Sequence, residues 1–135
     1  MCTEEGYKLD HYKNMPEWVV DKRRRYVSDA SAADFLDAAF LMYFYNHCDC
    51  HGQQPEIQPE EVTSVVPAQE DLDAAYIKCA ALISDGYIVG EALYQKRGEN
   101  DERKSIVRDF EARNPGFSQA SYERALRHGQ TAAIF

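Results

Sequence analysis

Apolar residues return at helical spacing along almost the whole 135-residue chain, and this periodicity limits the fold more than any other feature. Phe35, Leu36, Ala39, Phe40, Tyr43 and Phe44 follow at i, i+1, i+4, i+5, i+8 and i+9, which makes one broad helical face. Leu41, Met42 and Tyr45 carry apolar surface nearly all round that helix and predict the central, most buried element. Leu72, Ala75, Tyr76, Cys79, Ala80, Leu82 and Ile83 form a second such face, continued by Tyr87, Ile88, Leu93 and Tyr94. No set of alternating segments bounded by turn pairs competes. The expected fold is all-α, a single-domain irregular bundle of about five or six short helices over 1–135. Residues 1–13 are expected to form a mobile N-terminus and 130–135 a C-terminal tail.

Capping and breaking residues set the expected boundaries. Asn14-Met15-Pro16-Glu17 reads as a capped start to a helix reaching about Tyr26, with Met15, Trp18, Val19, Lys22 and Tyr26 on one face. Ser31 reads as the cap of the next helix, and residues 48–59 as a loop containing Gly52, Pro55 and Pro59. Residues 60–66 suit a short helix or a strand, because Val62, Thr63, Val65 and Val66 are β-branched. Pro67 opens a further helix, and Asp85-Gly86 reads as a stop or a kink within it. Gly90 costs that helix roughly 1 kcal/mol against Ala, which the close approach of a neighbouring helix would justify. Gly98 suits a C-terminal cap. Asn100 caps a helix to Arg113, Asn114-Pro115-Gly116 breaks it, and Ser118 to His128-Gly129 spans the last one.

Composition narrows the function classes. Asp and Glu number 23 against 15 Lys and Arg, giving a formal charge of −8, which argues against a free-standing nucleic-acid binder. A 44% hydrophobic content supplies a core and excludes a wholly disordered chain. There is no basic segment followed by an apolar stretch near Met1, and the longest apolar run, Ala38 to Tyr45, is far below the roughly 20 residues that span a bilayer. The expectation is a cytoplasmic protein without membrane contact. Cys2, Cys48, Cys50 and Cys79 make no disulfide framework, and Cys79 reads as a small core hydrophobe. Phosphate loops, nucleophile elbows, zinc-protease signatures and EF-hand loops are absent from the sequence.

Charge is unevenly placed along the chain. Residues 31–90 hold ten acids and one base, whereas the flanking stretches nearly cancel, so the surplus sits in the middle. A solvated coat would explain this. The sharper reading is a docking face for a basic protein partner, since pooled like charge steers association. A partner that itself holds nucleic acid would present such a surface, and the chain would then compete as a nucleic-acid mimic. The residues proposed for that face are Asp34, Asp37, Glu60, Glu61, Glu70, Asp71 and Asp73, with Trp18 and Tyr87 as aromatic anchors. With 12% aromatic residues, some are expected on the surface, where homo-oligomer contact is another use for them. Lys22-Arg23-Arg24-Arg25 reads as a solvated run or an internal partner for the acids.

One cluster carries chemistry of its own. His47, Cys48, Cys50 and His51 offer four zinc-type donors around Asp49, with His11, His128 and Cys79 as distant candidates for a further ligand. Against a zinc site, structural zinc cysteines are usually separated by two or more residues, and histidines at a helix C-terminus also serve free carbonyls. The Cys-x-Cys spacing does not fit a thiol-redox motif, and sequence neighbours rarely pair as a Cys–His nucleophile. The preferred reading is thus a non-enzymatic macromolecule-binding protein. A metal-binding regulator and an enzyme with an unrecognised site are the alternatives.

Overall fold

The computed structural model describes residues 14–65 and 70–134. Among them are five α-helices and no strand: α1 Glu17–Ala32, α2 Phe35–Phe44, α3 Leu72–Gln95, α4 Asn100–Arg113 and α5 Gln119–Ile134. A π turn, Tyr45–Asp49, extends α2, and a 3-10 turn covers Pro59–Glu61. The all-α expectation is met. The expectations for residues 1–13, for a helix start at Pro67 and for Phe135 fall outside the described residues. The chain packs as two compact units, Met1–Tyr76 and Ile77–Phe135.

In the first unit α1 packs on α2. Val19, Tyr26 and Ala30 of α1 are buried, as are Ala38, Ala39, Phe40, Met42 and Phe44 of α2 and Tyr45 beyond it. The Tyr26 and Tyr45 rings meet at a tilt of 52° with centroids 5.0 Å apart. The near-continuous apolar surface of α2 thus makes it the buried element, as its sequence implies. α1 runs six residues past Tyr26, because nothing from Val27 to Ala32 breaks a helix and Ala30 seats in the core. Ser31 therefore lies inside α1 instead of capping α2. Its carbonyl accepts the Ser64 hydroxyl at 2.7 Å and the Thr63 hydroxyl at 3.3 Å. Asp34 takes the N-cap position of α2 with extended backbone. Pro16, not Asn14, precedes α1, and no side chain caps it. Residues 62–65 form a turn instead of a strand, with Val65 N–H bonded to the Val62 carbonyl at 3.0 Å and both valines fully buried.

The second unit is organised by a glycine contact. α3 runs without a break through Asp85-Gly86. Gly86 and Gly90 lie one turn apart, and their backbone meets α5 at Gly129. A Cβ on Gly129 would fall on the Gly86 carbonyl oxygen and lie 2.7 Å from its carbon. A Cβ on Gly90 would lie 2.5 Å from both Gln130 N and the Gly129 carbonyl carbon. Close helix approach, expected from Gly90 alone, is thus made by three glycines. Gly129 does not end α5, which continues to Ile134. Phe110 of α4 is fully buried and meets Tyr122 of α5 edge-on at 5.9 Å. The Asn114-Pro115-Gly116 break falls where expected: Tyr122 donates to the Asn114 carbonyl at 2.6 Å, and the Asn114 amide donates to Asp85 at 2.7 Å. Ser118 Oγ accepts the Ser121 N–H at 3.4 Å, consistent with its role as cap. Asn100 lies within α4, with Glu99 at the N-cap. Gly98 adopts φ 91°, the left-handed conformation that suits glycine after a helix.

Candidate functional site

The π turn decides the geometry around the His/Cys cluster. An extra residue in one helical turn rotates the residues after it, and such turns recur at functional sites. Here it carries Asp49 back toward α1. Asp49 Oδ2 accepts the Tyr26 hydroxyl at 2.7 Å, and Oδ1 lies 3.2 Å from Lys22 Nζ, which also donates to the Asp49 carbonyl at 2.9 Å. Lys22 Nζ sits 5.9 Å from the Trp18 ring centroid, a cation–π distance. The Asn46 side chain pairs with the backbone of Ile57, accepting its N–H at 2.8 Å and donating to its carbonyl at 3.1 Å.

The four proposed zinc ligands do not share one centre. His47 is exposed and stacks on Tyr43 at 4.2 Å. His51 adopts φ 52° and is 64% exposed at its side chain, with Nε2 3.8 Å from Asp49 Oδ1. Cys50 is buried and disulfide-bonded, its Sγ 3.0 Å from the Gln54 carbonyl. Cys48 is a free, half-buried thiol whose pKa is pushed up by burial first and by the Asp49 charge second. Among the described residues no group of three or more His, Cys, Asp or Glu side chains is placed to hold a metal ion. The physical cause is the π turn followed by the left-handed His51, which splays the donors. Cys79 is buried in α3, and His128 shares a 2.8 Å hydrogen bond with the Tyr87 hydroxyl.

The acids divide into neutralised and outward groups. Arg23 Nη1 and Nη2 form a fork on Glu61 at 2.9 and 2.7 Å, while the same guanidinium donates to the carbonyls of Pro55 and Glu56. Burial alone would raise the Glu61 pKa. The Arg23 hydrogen bonds, the Gln58 N–H and the Arg23 charge outweigh it and hold the carboxyl below its ordinary value. Asp85 is held by Arg113 at 3.0 Å on both oxygens. Lys22, Arg23 and Arg113 thus neutralise Asp49, Glu61 and Asp85, although Glu61 itself stays exposed. Arg24 pairs with Asp21 at 2.5 Å, so the basic run serves largely as internal partner.

Asp34, Glu60, Glu70, Asp71 and Asp73 are exposed, and Asp37 is half-buried in the first turn of α2. Asp34, Glu70, Asp71 and Asp73 have no ion-pair partner among the described residues. Two ties draw these segments together within the first unit. The Thr63 and Ser64 bonds to Ser31 bring the segment after Glu60 to the α1–α2 junction beside Asp34. Ring contact of Tyr43 with Tyr76 at 5.5 Å ties α2 to the start of α3, where Asp71 and Asp73 stand. Trp18 is 60% exposed in the same unit. Tyr87 is exposed but belongs to the second unit. Residues 14–76 hold twelve acids and four bases, a net −8, and residues 77–135 hold eight acids and nine bases, a net +1.

Two features lie outside what the sequence pattern singled out. One is Asn46, whose amide pairs with the loop. The other is the face of α4 that gathers Arg103, Lys104 and Arg108 beside Leu93, for which the i, i+1, i+5 spacing was the available signal. No helix among the described residues is long and apolar enough to cross a membrane. Comparison of the chain with family models, with characterised proteins and with solved structures gives no match, so these side chains themselves carry the functional reading.

Proposed function

We propose that this chain is a non-enzymatic binding protein whose first unit docks on a basic surface of a protein partner. The observation that carries the reading is the segregation of charge: −8 over residues 14–76 against +1 over 77–135. Asp34, Glu70, Asp71 and Asp73 stand outward without internal cations and supply the long-range attraction. Trp18, already exposed, supplies apolar area at low entropic cost. A partner surface that holds nucleic acid has the complementary sign, and occupation by this protein would exclude the phosphates it normally binds. Asp71 and Asp73 also favour the start of α3 through its macrodipole, and that role coexists with docking.

The test is affinity capture followed by mass spectrometry at low and high salt, run with the wild type and with a variant carrying Asp34→Lys, Glu70→Lys, Asp71→Lys and Asp73→Lys. A specific basic partner is expected on the wild type at low salt, weakened by salt and absent from the variant. Capture that ignores both salt and charge reversal would refute the proposal.

A further inference from the structure

A groove in the second unit opposes the general acidity of the chain. It encloses about 470 Å³ between the end of α3 and one face of α4, within the size range of small-ligand sites. Its walls carry Arg103, Lys104, Arg108 and Glu111, and half-buried Val107 gives it an apolar component, whereas Leu93 is buried at 2% exposure. Three cations against one carboxylate make a local charge of +2 in a protein of −8. Lys104 and Arg108 stand at i, i+4, where like charges repel, and neither has an ion-pair partner among the described residues. A nearby acid that could relieve them, Glu102, is engaged by Lys96 at 3.0 Å. Arg103 is fixed in place by donating to the Leu93 carbonyl. Uncompensated cations gathered at a concave, partly apolar surface fit an anion better than they fit solvent.

We infer that this groove binds an organic phosphate monoester, the phosphate held by Arg103, Lys104 and Arg108 and the apolar body laid against Val107. A phosphate monoester carries about −1.5 to −2 at neutral pH, which matches the local surplus, and its three oxygens suit three separate cations. A guanidinium fork recognises phosphate with two parallel hydrogen bonds, and Lys104 adds a compact charge. Glu111, an acceptor, faces the remainder of the ligand and favours a body with a hydroxyl or amino donor. The inference is independent of the docking proposal, since it concerns the other unit.

The test is isothermal titration calorimetry of the full chain with phenyl phosphate, and with phenol and inorganic phosphate as its two halves. Phenyl phosphate is expected to saturate with a Kd below about 1 mM, with each half at least about tenfold weaker. Lys104→Glu with Arg108→Glu should weaken phenyl phosphate binding at least about tenfold, and the milder Lys104→Ala with Arg108→Ala should move it the same way. Arg25→Glu with Arg127→Glu, at exposed positions outside the groove, should leave it unchanged. Absence of saturable binding, or equal loss in the Arg25/Arg127 control, would overturn the inference.

Discussion

Gly129→Ala tests the packing of the second unit most sharply, because two effects of known sign oppose each other. On helix propensity alone, the replacement should stabilise an interior helical position by about 1 kcal/mol. The new methyl would, however, fall on the Gly86 carbonyl oxygen and lie 2.7 Å from its carbon, where ordinary contact begins at 3.4 Å. The colliding atoms are backbone, so no side chain can swing away, and α3 and α5 must separate. Overpacking of this kind costs about 1–3 kcal/mol, and a backbone clash belongs near 3, leaving a net loss of about 2 kcal/mol. At roughly 4 °C per kcal/mol for a chain of this size, Tm should fall by about 8 °C. Gly90→Ala, 2.5 Å from Gln130 N, should behave alike. Gly86→Ala, whose nearest neighbour is the Ala125 carbonyl oxygen at 3.0 Å, should stay within about 0.5 kcal/mol of wild type. Thermal and urea unfolding followed by far-UV circular dichroism gives all three. A Gly129→Ala protein as stable as the wild type would show that the two helices do not meet backbone to backbone.

Other expectations concern the first unit. Arg23→Ala removes the donor to Pro55, Glu56 and Glu61 together and should cost about 2 kcal/mol in urea unfolding, discounted for partial exposure. Arg23→Lys keeps the charge but loses the fork and should recover less than half of that. Because the Glu61 pKa is lowered in the fold, its contribution is fully present above about pH 4.3 and is lost as pH falls through the lower folded value. Glu61→Gln should therefore flatten the acid limb of the stability profile. Cys48, with its pKa raised, should react with iodoacetamide more slowly at pH 8 than the same cysteine in the urea-unfolded chain, and should gain rate as pH rises further.

How much of the fold was legible in the sequence depends on what each residue's signal encoded. The apolar run of α2 and the Asn114-Pro115-Gly116 break are local, and both survive in the fold. Helix ends proved less legible, because a serine or glycine has more than one use. Ser31 looks like a cap, yet its carbonyl and hydroxyl serve residues 63 and 64. Gly129 looks like a terminator, yet it is the point of closest approach between two helices. The geometry of the His/Cys cluster was hard to read for a related reason. Five consecutive donors are a composition, and the π turn at Tyr45–Asp49 sets their directions. Charge counting along the chain found the acidic excess, but could not show that Arg23 would claim Glu61 or that Arg113 would claim Asp85.

The stretch between Cys50 and Gln58 has neither helix nor strand, and its attachments are concentrated in side chains that belong to helical neighbours, above all Asn46 and Arg23. That separates the anchoring from the text of the loop. The tip at His51-Gly52 has open space around it: a β-carbon on Gly52 would meet nothing within 4 Å, and only its φ of 69° limits the choice there to glycine or asparagine. The neighbouring His51 is 64% exposed at its side chain, so an experimenter can hang a dye there and evolution can change it within the residue types that tolerate its φ of 52°. Both share one permissive window, and its moorings are two residues that sit outside it.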